Sequence, residues 1–150
     1  MYKAWAVKHG FTIIELLVVM AVIGILATIM IVSYSGIQQR SRDSQRDSDV
    51  TQIKMALEKY HADKSEYPGV CSGDNMGCSV SALATDLSPY LSVIPHDPKY
   101  DADSGNDYQY VRSAPVNDAY AIEVQYEAKS PCKTGQNVSA GWWGAALPTC

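Results

Sequence analysis

Glu15 stands in the stretch HGFTIIELLVVM, residues 9–20, and is the only ionisable side chain between Phe11 and Val32. Near a bilayer centre a carboxylate costs about 2.5–3.5 kcal/mol, and less towards the edge, so it calls for a cationic partner in the same apolar layer. Oxidative chemistry is offered by Cys71, Cys78, Cys132 and Cys150, all placed after the apolar run. An even cysteine count on one side of a membrane segment favours disulfides in an oxidising compartment. Three pairings are open, and closure of local loops favours 71–78 with 132–150. No C-x-x-C pair occurs, and His61 and His96 stand in no ligand-like spacing, so zinc is not expected. Asp101, Asp103 and Asp107 suggest calcium, but the EF-hand glycine is misplaced and Arg112 occupies the position of the bidentate Glu. An acidic turn is the simpler reading, with no metal and no cofactor. His96 beside Asp97 would be an acid–base pair, yet no motif places a Ser or Cys nucleophile near it. Trp142-Trp143 suits either an exposed adhesive patch or a core role, and Asn137-Val138-Ser139 matches a glycosylation triplet common by chance. There is no Gly-rich phosphate loop and no internal repeat.

These residues need elements to position them. The 22 residues from Phe11 to Val32 lack Lys, Arg, Asp, His and Pro, and are long enough to cross a hydrocarbon core of about 30 Å as a helix. The preceding ten residues carry Lys3 and Lys8 and no acid, which predicts a cytoplasmic N-terminus and an exported C-terminal domain. A cleaved secretory signal would be shorter. An ordinary signal anchor fits the length but gives no reason for Glu15. The whole chain, 150 residues with net charge −4, has room for one domain, and its acidic balance does not favour nucleic acid as a partner.

Gly10, then Phe11-Thr12-Ile13-Ile14-Glu15-Leu16, then Ile23-Gly24-Ile25-Leu26-Ala27 resembles the class III signal of type IV pilins and pseudopilins. The resemblance is close over residues 3–40 and one of layout beyond. It implies a leader, residues 1–10, removed by a membrane-embedded prepilin peptidase that cuts between Gly10 and Phe11 and methylates the new amine of Phe11. It implies that Glu15 pairs with the terminal amine of a neighbouring copy as the filament grows. The implied partners are copies of the chain in a helical filament, the peptidase, a membrane-embedded assembly platform with its cytoplasmic ATPase, and the lipid bilayer before assembly. One departure stands out: Met30-Ile31-Val32-Ser33-Tyr34 lacks the proline at which many such helices kink.

Helix is predicted to continue to about Ala62, which makes it roughly 75 Å long at about 1.5 Å per residue. Val50, Ile53, Leu57 and Tyr60 form an apolar stripe facing a domain. The collar QQRSRDSQRDSD, residues 38–49, is polar all round and reads as a solvated face, with Asp43–Arg46 and Arg46–Asp49 at i, i+3, available also to pair between subunits. Tyr67-Pro68-Gly69 ends the helical region, and Ser81–Leu91 reads as a short helix. Residues 108–112 and 120–127 alternate as half-buried strands, with Tyr120, Ile122, Val124 and Tyr126 on the face towards the helix. The expected fold is α+β and pilin-like. A long N-terminal helix, half transmembrane (11–33) and half amphipathic, packs on a small antiparallel sheet within an extracytoplasmic domain, 34–150. The segment Cys132–Cys150 resembles the disulfide-bounded C-terminal region of pilins.

The expected function is that of a structural subunit, not an enzyme. It sits as a single-pass protein of the inner or cytoplasmic membrane, then in an extracellular or periplasmic filament serving adhesion, motility or secretion. Alternatives are a major pseudopilin of type II secretion or a DNA-uptake pilin. The first would be favoured by bound calcium, since such pseudopilins carry one near their sheet and Asp97-Pro98 with Tyr108-Gln109-Tyr110 resembles them. The second would need a basic patch such as Lys129 with Lys133. From another class comes a monomeric signal-anchored binding module, indifferent to Glu15.

Overall fold

The computed structural model describes residues 10–71, 77–101, 105–113, 118–144 and 147–150, with the backbone alone for 30–33. The chain divides into two compact units, residues 1–38 and 39–150. Helix α1, Ile13–Lys64, supplies the described helix of the first and the long helix of the second. It is continuous through Gly24 and Gly36, as the lack of proline allows. It stops where Ser65 turns left-handed (φ 58) and donates its N–H to the His61 carbonyl at 2.7 Å, three residues before Pro68.

In the second unit, β1 (Cys78–Ser79), a 3-10 turn (Val80–Leu83) and α2 (Ala84–Leu87) precede β2 (Gln109–Arg112), β3 (Tyr120–Val124) and β4 (Cys132–Gln136). The strands form one antiparallel sheet in the order β1-β2-β3-β4, with Tyr110 opposite Ile122 and Val124 opposite Cys132. The α+β, pilin-like architecture expected from the sequence is the one observed. Val50, Ile53, Ala56 and Leu57 of α1 share one buried cluster with Tyr110, Tyr120, Ile122 and Val124 of the sheet and with Val80, Leu83, Leu87 and Ile94. Tyr60 and Tyr126, assigned to the same stripe and strand face, are only partly buried at its edge. A smaller cluster of Val111, Ala119, Ala121 and Trp142 covers the opposite sheet face. The strand alternation explains the two clusters, since odd and even residues of β2 and β3 point to opposite sides.

Hydroxyls fasten α1 to the domain. Tyr67 and Tyr120 both donate to Glu58 at 3.1 Å, Tyr108 donates to Asp49 at 3.1 Å and Tyr90 to Asp63 at 2.6 Å. Burial, aided by the facing carboxylates, pushes the phenols of Tyr67, Tyr108 and Tyr120 well above their ordinary range, so they remain donors at physiological pH.

Four expectations need correction. The helix placed at 81–91 is a 3-10 turn followed by one α turn, because Pro89 has no N–H with which to extend it. Strand β3 ends at Val124 rather than Glu127, because the N–H groups of Glu127 and Ala128 are taken by the Asp43 carboxylate at 2.9 and 2.8 Å. Strands β1 and β4 went unseen: β1 has two residues, and β4 reads C-K-T-G-Q without apolar alternation. The 38–49 collar is not solvated all round, since Asp43, Arg46 and Asp49 are buried. Asp49 accepts from Tyr108 rather than pairing with Arg46.

Candidate functional site

The N-terminal segment builds its site from four residues. Gly10, Phe11 and Thr12 precede the helix, and Phe11 is 90% exposed. Thr12 is the N-cap. Its N–H and its hydroxyl donate to Glu15 Oε2 at 2.8 and 2.7 Å, and its Oγ1 accepts from the Glu15 N–H at 3.3 Å. This is a capping box, T-x-x-E, which satisfies the orphan donors at a helix start. Thr12 is neutral, so these bonds orient the carboxylate without neutralising it. The local signal for this box is the T-x-x-E spacing of Thr12 and Glu15, which is legible in the sequence apart from the charge of Glu15. Beyond Glu15 the apolar side chains are exposed around the helix, Leu16 58%, Leu17 61%, Ile23 59% and Leu26 51% among them. Thr28 hides its hydroxyl on the Ile25 carbonyl at 2.7 Å. By length and composition the helix can cross a membrane.

In the second unit Arg46, 2% exposed, is the hub. It binds Asp97 through Nε and Nη2 at 2.6 and 3.0 Å, and through Nη1 it binds Asp43 at 2.7 Å and Glu127 at 3.0 Å. Glu127 also takes Arg42 and Lys99 at 2.6 and 2.7 Å. Hydrogen bonds from Arg42 above all hold the Glu127 carboxyl below its usual range. Burial alone would raise Asp43, but the two backbone N–H groups and Arg46 outweigh it and lower it. Burial raises Asp49 and Glu123. The arrangement is an ion cluster that ties α1 to two connecting segments; Asp97 and Glu127 lie 51 and 81 residues from Arg46, so no local pattern could reveal it.

The other candidate residues are placed as follows. Cys71 is joined to Cys78 and Cys132 to Cys150. Asp103 lies outside the described residues. Asp107 Oδ2 accepts from Ser79, Ser81 and His96, and its Oδ1 from the N–H groups of Asp97 and Tyr108. Among the described residues no three His, Cys, Asp or Glu groups converge on a metal position. His96 faces Asp107, not Asp97, which belongs to Arg46. Trp142 is buried, and Trp143 lies against Gly77 (φ 70), where an added Cβ would come within 3.0 Å of the ring. The described parts of the two disulfide-bounded loops thus meet through a tryptophan. Asn137 donates to the Asp118 carbonyl at 3.3 Å. Lys129 lies over the Tyr126 ring at 3.8 Å and pairs with Asp47, while Lys133 is buried, so the two form no exposed basic patch.

Residues 5–31 match the prokaryotic N-terminal methylation motif. The chain is 29% identical over 113 residues to the type II secretion system core protein G of Escherichia coli (strain K12), covering 69% of this chain and 72% of that protein. It is 30% identical over 115 residues to the core protein G of Klebsiella michiganensis, covering 69% and 73%. The type IV major pilin protein PilA of Myxococcus xanthus is 34% identical over 87 residues, 53% of this chain and 40% of that one. No solved structure matches the chain. With the methylation motif on the exposed apolar helix and relatives that extend into the sheet domain, the chain belongs to the type IV pilin and pseudopilin family and is a pilin-like filament subunit.

Proposed function

We propose that the chain is made as a membrane-inserted precursor, cut between Gly10 and Phe11 by a prepilin peptidase, methylated on Phe11 and polymerised through α1, with Glu15 paired to the terminal amine of the adjacent copy. The single observation that carries this reading is the T-x-x-E box on a helix whose apolar faces are exposed. It holds a charged carboxylate one helical turn from the new terminus. Gly10 and Phe11 lie outside the helix, and a Cβ added at Gly10 would meet nothing within 4 Å, which suits entry of an extended segment into a peptidase. An unpaired carboxylate in lipid is costly, and pairing offsets most of that cost, so docking at the filament base is favoured over remaining free in the bilayer. The N-terminus would be cytoplasmic and the second unit exported, where its cysteines oxidise. An assembly platform and its cytoplasmic ATPase would drive the process. The chain would act as a structural subunit and as the peptidase's substrate, with no cofactor of its own.

A second reading is favoured by one observation. The core protein G relatives match over about 70% of both chains, whereas the pilin PilA matches over 53% of this one. In that reading the filament is the short pseudopilus of a type II secretion system. The test of the common proposal is Glu15→Leu beside Glu15→Gln in cells that assemble the filament. Both variants should be inserted and processed yet yield few or no filaments. Normal filaments from Glu15→Leu would sink the pairing role.

A further inference from the structure

The sheet face turned away from α1 has two halves. On one, Trp142 covers Val111 and Ala121. On the other, strand alternation and the β2–β3 register set Gln109 opposite Glu123, with Gln125 two residues on. These three line a cavity of about 470 Å³, the size of a small-molecule site. The charged groups around it are already matched. Arg46 and Asp97 bind each other, Lys99 binds Glu127, and Asp107 is filled by Ser79, Ser81, His96 and two backbone N–H groups. The three sheet residues are not. Gln125 Nε2 donates to Glu123 Oε1 at 2.5 Å, and Gln109 Nε2 to the Asp107 carbonyl at 3.3 Å. Glu123 Oε2 and both glutamine side-chain carbonyls are left without a partner among the described residues. Lys133 lies opposite Glu123 in register, but its Nζ donates to the carbonyls of Ala140 and Trp142.

What stays open is a row of acceptors on planar side chains, two of them neutral amides that can also donate. Adjacent hydroxyl groups, which donate and accept together, match such a row. A charged ligand would meet walls whose charges are already paired, and would gain little for the water it gives up. We propose that this cavity is a saccharide-binding site, in which Gln109, Glu123 and Gln125 hold the hydroxyls of one pyranose unit. Tyr126 lines the same cavity and supplies apolar surface for the C–H side of the ring. Glu123 is the one open charge among the described lining residues, so a cation is the rival occupant. The site lies wholly in the second unit and does not depend on filament assembly.

The experiment uses the full chain in dodecylphosphocholine micelles, which carry no sugar, and follows amide resonances by NMR. The probes are the methyl glycosides of glucose, galactose, mannose and N-acetylglucosamine, with n-butylammonium as the cationic control. At least one glycoside should shift the side-chain amides of Gln109 and Gln125 saturably, while the Trp142 half of the sheet stays unchanged. Gln109→Ala and Gln125→Ala should each weaken that binding roughly fivefold, as the loss of one hydrogen bond implies. Glu123→Gln keeps the shape and an acceptor, so sugar binding should persist within about tenfold. No saturable shift with any of these sugars would overturn the proposal. Full binding retained by both alanine variants would also overturn it, by placing the sugar elsewhere. Binding of n-butylammonium without any sugar, abolished by Glu123→Gln, would make the cavity a cation site instead.

Discussion

Replacing Arg46 by methionine removes the cation shared by three carboxylates while keeping most of the side-chain volume. Breaking a buried ion pair by deleting one partner costs about 3–5 kcal/mol, because a charge is left without compensation. The structure places the expected loss at the low end, about 3 kcal/mol. Glu127 keeps Arg42 and Lys99, and Asp43 keeps the N–H groups of residues 127 and 128. Asp97 alone loses its bidentate partner, retaining the Lys99 N–H at 2.8 Å. The pH dependence has a definite sign. Asp43 and Glu127 titrate below their unfolded values, so their contribution to stability is present above the ordinary carboxylate range and is lost as pH falls through the depressed values. Without Arg46 that depression is smaller, so the wild-type chain loses more stability on acidification and the gap between the two proteins narrows. Urea unfolding of the full chain in micelles, followed by tryptophan emission at neutral and acid pH, measures both. A second variant, Arg46→Met with Asp97→Leu, should recover at least half of the loss. If Arg46→Met is as stable as wild type at neutral pH, or if the gap widens in acid, the ion cluster does not hold α1 to its domain.

Two further outcomes follow from the geometry. Gly135→Ala should unfold the β3–β4 pairing, since the new Cβ would lie 2.1 Å from the Tyr120 carbonyl oxygen and 2.8 Å from Ala121 Cα; a soluble, wild-type circular dichroism melt would contradict this. Calcium added to the full chain should leave the thermal midpoint unchanged, because Asp107 is already filled by Ser79, Ser81, His96 and two backbone N–H groups; a clear upward shift would reopen the acidic turn as a cation site.

What the sequence disclosed depended on whether the determining contacts were local and periodic. The 3-and-4 spacing of Val50, Ile53 and Leu57, and the alternation of Tyr120, Ile122 and Val124, placed the main core correctly, because a single buried face imposes a single period. Strand β4 escaped because its inward positions hold Lys133, whose charge is satisfied by carbonyls, and Gly135, whose missing side chain admits the Tyr120 backbone. The polar collar misled for a related reason. A helix segment rich in Asp and Arg reads as solvated until the carboxylates that bury it, Asp97 and Glu127, arrive from far along the chain. At the N-terminus the signal was local: Glu15 stands out as the one charge in an apolar run, while Gly10 and Phe11 are marked by the resemblance to the prepilin signal. Thr12 belongs to the same local pattern, since its spacing from Glu15 is that of a capping box.

The most direct test of the account is intact-mass and N-terminal peptide mass spectrometry on the protein recovered from its native membrane or from shed filaments. The account predicts a chain that begins at Phe11 and carries one added methyl group on its terminal amine. A chain that still begins at Met1, recovered from cells with an active prepilin peptidase, would contradict it and leave Glu15 without a partner.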